Sequence, residues 1–64
     1  MGTTVRTQFW RRTTRLGWVR VYGNYNEDTA IMIARRFTPK GWDVDTGADW
    51  SDDFGCWVVP AYLI

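Results

Sequence analysis

The chain has no histidine and a single cysteine, Cys56, in 64 residues. Without histidine the Ser-His and Cys-His arrangements of nucleophilic catalysis are closed to it, and one thiol can neither assemble a zinc site nor close an internal disulfide. Stability must come from packing or from a partner, in a length class whose core seldom yields more than roughly 3–5 kcal/mol. Nothing approaches the roughly 20 consecutive apolar residues that span a bilayer. The lack of a signal-peptide hydrophobic run and of a disulfide framework leads to the expectation of a soluble protein in a reducing cytoplasm, without a membrane partner. Lysine is scarce too, with Lys40 standing against seven arginines.

Aromatic rings are what the chain has in quantity: five Trp, three Tyr and three Phe. Each buries a large area per position, which suits a single domain with few positions to give to a core. Residues 3 to 12 alternate, with Val5, Thr7 and Phe9 on one side and Arg6, Gln8, Trp10 and Arg12 on the other. That is the two-residue period of a half-buried strand. Residues 16 to 22 repeat it, and Thr13, Thr14 and Arg15 between them contain no glycine. A tight two-residue turn is therefore disfavoured, and a hairpin with a loop of three or more residues is expected.

A helix is expected over roughly residues 26 to 37. Asn24 with Glu27 has the form of a capping pair, Asn26 is the alternative N-cap, and Ala30, Ile33, Ala34 and Phe37 form an apolar stripe. Arg35, Arg36 and Lys40 suit the C-terminal end, and Pro39 and Gly41 stop the helix. Trp42 to Thr46 alternates as a third strand, the acidic residues 46 to 55 read as a loop, and residues 56 to 63 read as a last, apolar strand. On that strand Trp57, Val59, Ala61 and Leu63 share a face, and Pro60, which lacks a ladder donor, favours an edge position. The expected fold is a small single α+β domain over residues 1–64, in ββαββ order, with one helix on one face of a mainly antiparallel sheet.

Charge is sorted along the chain. Up to Gly23 there are Arg6, Arg11, Arg12, Arg15 and Arg20 and no acid; from Trp42 onward there are Asp43, Asp45, Asp49, Asp52 and Asp53 and no base. The two groups nearly cancel in a net charge of +1. They either pair with each other in the fold or form separate poles with a strong dipole between them. The hairpin register bears on this. If facing positions sum to 28, Trp10 meets Trp18 and Arg6 meets Tyr22 on an outer face that alternates arginine with rings; a sum of 27 pairs Phe9 with Trp18. The sequence leaves both registers open.

No cofactor or metal is implied. Asp43, Asp45, Asp49 and Ser51 stand at positions 1, 3, 7 and 9 of a calcium loop, but Gly47, Ala48 and Phe54 fail its positions 5, 6 and 12. A chain this short has little room for a substrate cleft, and no glycine loop for phosphate is present, so an enzyme is not expected.

Composition points to a protein-binding module: near-neutral charge with opposite ends, many rings, and arginine in place of lysine. The expected contact residues are the hairpin's Arg6, Trp10, Arg11, Arg12, Arg15, Trp18 and Arg20, the outer helix face at Met32, Arg35 and Arg36, and the acidic Asp49, Trp50, Asp52 and Asp53. By size alone the chain is similar to the accessory proteins of phages and mobile elements, among them anti-CRISPR inhibitors. That analogy implies a host protein or protein–nucleic-acid complex as partner, a nucleic-acid-handling machine whose surface the chain occupies. The alternative is a small DNA- or RNA-binding regulator that uses the arginine and aromatic hairpin. A homodimer through an edge strand is compatible with either.

Overall fold

A computed structural model describes residues 5–64. Residues 3 and 4 of the expected first strand, and the corresponding start of the domain, lie outside the described residues. The elements are β1 (Arg6–Arg11), β2 (Leu16–Tyr22), α1 (Glu27–Phe37), β3 (Trp42–Val44), β4 (Asp49–Ser51) and β5 (Cys56–Leu63). The α+β class and the ββαββ order are those expected, and β4 is an additional three-residue strand inside the segment read as a loop.

All strand pairs are antiparallel. The sheet runs β1-β2-β5-β3, with β4 also paired to β5. The last strand in sequence is therefore central, with β2 along one side and β3 and β4 end to end along the other. This corrects the edge placement inferred from Pro60. In an antiparallel strand a residue's N–H and C=O point to the same side, and the Pro60 carbonyl accepts from the Asp45 N–H at 2.8 Å. The missing donor thus faces the gap between β3 and β4, where the chain leaves the ladder at residues 45–48 and needs no partner.

The β1–β2 loop closes without positive φ at any non-glycine residue. The Thr13 hydroxyl accepts from the N–H groups of Arg15 and Leu16 at 3.2 and 2.9 Å, and the Leu16 carbonyl accepts from Arg12 and Thr13. A threonine side chain thus replaces the glycine of a tighter turn. Gly55 ends the β4–β5 connection at φ +63°, where glycine avoids the Cβ penalty.

The helix begins at Asn26, whose side chain accepts from the Thr29 N–H at 2.8 Å. Asn26 rather than Asn24 is the N-cap. Glu27 is thereby released from a capping box, and its carboxylate accepts from the Ala48 N–H at 3.0 Å, tying the helix to the approach to β4. The stripe is also shifted. Ala30, Ile31 and Ala34 are buried, whereas Phe37 is 52% exposed. The covered arc is centred between Ala34 and Ile31, so Ile33 and Phe37 fall on its flank. The small alanines at its centre let the helix approach Val19, Val21, Val44 and Val59 of the sheet closely.

Gly17 and Ala61 lie side by side in the middle of the covered face. The low ground they leave lets Phe9 from β1 and Trp42 from β3 meet edge to face at 5.1 Å, although their strands are not neighbours. A Cβ on Gly17 would stand 2.6 Å from the Trp10 carbonyl oxygen, a backbone atom. Gly17→Ala is expected to destabilise the fold by about 1–3 kcal/mol. Gly47→Ala, which meets nothing within 4 Å, should stay within about 0.5 kcal/mol of the parent. Urea unfolding of the two variants measures the difference, and equal midpoints would refute the close packing at Gly17.

Helix and sheet are also joined by charge. The Arg35 Nε donates to Asp43 Oδ1 at 3.2 Å. The Val44 N–H donates to the same oxygen at 2.8 Å, and the Tyr62 hydroxyl to Oδ2 at 3.5 Å. The backbone hydrogen bond first, and Arg35 after it, hold the Asp43 carboxyl below its ordinary value of 3.8. A lowered carboxyl adds stability that is present in full above its unfolded pKa and is lost as pH falls through the folded value. Asp43→Asn is therefore expected to be less stable than the parent at neutral pH and to approach it progressively as pH falls from about 4 through the lowered folded pKa; a gap that persists in stronger acid would contradict this account.

Candidate functional site

The helix covers the face carrying Phe9, Val19, Val21, Val44, Val59 and Ala61. Strand alternation sends Arg6, Gln8 and Trp10, then Leu16, Trp18, Arg20 and Tyr22, then Val58, Pro60 and Tyr62 to the other face. The molecule is 17 Å through its thinnest direction, which accommodates two layers and no third. Among the described residues no helix or second sheet covers this second face, called the open face below.

The hairpin register sums to 28, so Trp10 faces Trp18 and Arg6 faces Tyr22. The two indoles meet edge to face at 5.6 Å. Guanidiniums lie on the rings: Arg6 over Tyr22 at 4.5 Å, Arg12 over Trp18 at 5.7 Å, and Arg20 over Trp10 at 4.4 Å. Arg20 is also covered by Phe54 at 4.3 Å, a ring brought over from the β4–β5 connection. It thus has a ring within cation–π range on two sides. A weak polar chain extends the arrangement, from Arg20 to the Tyr22 hydroxyl at 3.5 Å and on to Gln8 at 3.4 Å. The Arg20 Nε is buried without a hydrogen-bond partner, a cost of about 1–3 kcal/mol that the two rings partly offset. Beneath lies Cys56, fully buried, its thiol pushed up by burial and drawn back in part by the nearby Arg20 charge. A raised thiol pKa lowers the thiolate fraction and suits a structural role.

The charged groups do not pair with each other across the sheet. Among the described residues Arg35–Asp43 is the one ion pair. Arg6, Arg11, Arg12, Arg15 and Arg20 belong to β1, β2 and their loop; Asp43, Asp45, Asp49, Asp52 and Asp53 belong to β3, β4 and their connections. Between them runs β5, Cys56–Leu63, without a charged residue. Along one row of the open face the order is Arg20, Val58, Asp49. Two strand spacings separate the cation strand from the acid strand by about 10 Å, roughly a Debye length at physiological salt. Arg20 itself reaches across β5 to the Phe54 ring on the acidic side, yet among the described residues none of the five hairpin arginines forms an ion pair with an aspartate.

The fold distributes the expected contact residues over more than one surface. Arg6, Trp10, Arg12, Trp18 and Arg20 come together on the open face. Arg11 shares the alternation of Phe9 at the loop end of β1, and both it and the loop residue Arg15 are exposed. Asp49 belongs to the open face at the acidic side, and Asp52 and Asp53 occupy the adjoining turn, where Asp52 accepts from the Trp50 indole at 2.7 Å. Trp50 turns to the covered side, 38% exposed, edge to face with Trp57 at 5.5 Å. Met32 and Arg36 stand on the outer helix surface, away from the open face, and their neighbour Arg35 is engaged by Asp43. Two of the rings that hold the hairpin arginines, Tyr22 and Phe54, were not among the expected contacts. Tyr22 continues the alternation of Trp18 and Arg20, a signal present in the sequence; Phe54 is brought to Arg20 only by β4 pairing.

Comparison with protein-family models, with curated proteins and with solved structures returns no match. Among the described residues no helix is long and apolar enough to cross a membrane.

The arginine–ring contacts predict a measurable coupling. In a double-mutant cycle of Arg20→Met with Trp10→Leu, the interaction energy is expected at about 0.5–1 kcal/mol. Urea unfolding supplies the four stabilities, and strict additivity would mean that Arg20 and Trp10 are merely adjacent.

Proposed function

We propose that the chain is a non-enzymatic protein-binding module whose contact surface is the open sheet face with its cationic and acidic flanks. The observation that carries this reading is the placement of the uncharged β5 between the arginine strands and the aspartate strands. A surface with two opposite poles on either side of an apolar, aromatic strip fits a partner that presents the reverse order of charge. Such complementarity speeds encounter and fixes register. Rings and arginines together have the composition of interface hot spots.

The guanidiniums bear on the choice between protein and nucleic acid. Base stacking needs uncovered ring faces, and here Tyr22, Trp18, Trp10 and Phe54 each already hold an arginine of the same chain. The acidic flank repels phosphate as well. In its specific form the proposal is a phage or mobile-element accessory protein acting in the host cytoplasm. Its acidic flank occupies a basic nucleic-acid channel of the host machine while the arginine hairpin anchors beside it. The second reading, a DNA- or RNA-binding regulator, draws support from the number of arginines on the hairpin.

Titration with labelled DNA and RNA at low salt separates the two. No retention is expected; affinity that falls steeply with added salt would favour the second reading. Capture from an extract of the source cell or its host then tests the surface itself. Arg11→Glu with Arg15→Glu, and separately Asp49→Lys with Asp53→Lys, should each release the partner retained by the parent. If neither pair changes what is captured, the poles are not contact surfaces.

A further inference from the structure

On the covered side of the sheet, beside the start of the helix, Asn24, Tyr25, Trp50 and Trp57 line a concavity of about 230 Å³. Its walls come from three places in the chain: the segment before α1, the acidic edge strand β4, and the central β5. The indoles of Trp50 and Trp57 stand at 68° with centroids 5.5 Å apart, and so form a corner that Tyr25 borders. Both indole N–H groups are already used. Trp57 Nε1 donates to the Tyr25 carbonyl at 2.7 Å, and Trp50 Nε1 to Asp52 Oδ1 at 2.7 Å. These bonds fix the rings in place and leave the corner with π surface and no indole donor. An anion finds no indole donor to bind there, whereas a cation finds the negative faces of aromatic rings.

The charge around the corner has the same sign. Asp52 is bonded to one wall, and Glu27 is bonded to the Ala48 N–H, two residues before Trp50. From Trp42 to Ile64 the chain has no basic residue. The remaining lining residue, Asn24, carries an amide oxygen able to accept.

We propose that this corner binds an arginine side chain presented by another protein. A guanidinium is planar and weakly hydrated, stacks on an indole, and keeps edge N–H groups for an amide oxygen or a carboxylate. The site requires neither the hairpin nor the open face and shares with the acidic flank only Asp52, which the capture test leaves unchanged; it goes beyond the proposed function, and the two readings fail separately.

The test follows the indole N–H resonances of the full chain by NMR during titration with a capped Gly-Arg-Gly peptide. The same peptides with citrulline or lysine in place of arginine, and tetramethylammonium chloride, are titrated in parallel. Saturable shifts are expected at Trp50 and Trp57 and not at Trp10 or Trp18, with arginine bound about tenfold more tightly than the uncharged citrulline. Asp52→Asn retains an acceptor for the Trp50 indole and removes the charge, and should weaken arginine binding about threefold while leaving the citrulline titration unchanged. Equal binding of arginine and citrulline, shifts confined to Trp10 and Trp18, or no saturation would overturn the site. Tighter binding of lysine or tetramethylammonium than of arginine would overturn its occupant.

Discussion

The pairing of β5 on both of its sides is the interaction on which the rest of the molecule depends. Its eight residues hold the hairpin through β2 along one side and the two short strands β3 and β4 along the other. Val59 and Ala61 supply the middle of the covered face, and Val58, Pro60 and Tyr62 the middle of the open one. β3 and β4, three residues each, form the other edge of the sheet only through their pairing with the longer β5, which supplies a row of partners to both. A proline in that central strand is tolerated because its single missing donor falls at the interruption between them.

The same strand gives the surface its electrical character. Five cations and five aspartates in a small domain could have been paired, and each exposed pair would have added only about 0–1 kcal/mol. Placing an uncharged strand between them forgoes that modest stabilisation and leaves the arginine strands and the aspartate strands on opposite sides of β5. Arg6, Arg12 and Arg20 are instead held by rings, an attraction less dependent on a counter-charge. Held in this way, they lose less conformational freedom when a partner arrives. The rings serve the fold and the surface together, since a core of so few fully buried residues, mostly Val and Ala, leaves much of the packing to half-covered aromatics.

Elements with a local signature were legible in the sequence. The two-residue alternation through Phe9 and Val19 gave both hairpin strands and their inner faces, and the acidic start and basic end of residues 26 to 37 gave the helix. Glycine-free Thr13 to Arg15 disfavoured the tightest turn. The failures share a cause. Asn24 and Asn26 are equal as caps until the chain's direction into the helix is known, and Phe37 belongs to the stripe until the sheet fixes which arc of the helix is covered. Trp50 looks like a loop residue until Trp57 pairs with it.

What the sequence by itself determined is therefore the class, the order of elements and the segregation of charge along the chain, because these follow from residues close to one another. Tertiary structure alone decided the hairpin register, the central position of β5, its placement between the arginine and aspartate strands, and the corner formed by Tyr25, Trp50 and Trp57. Each of these depends on which distant backbone hydrogen bonds form, and a ladder with the period of two permits several registers until every strand is in place.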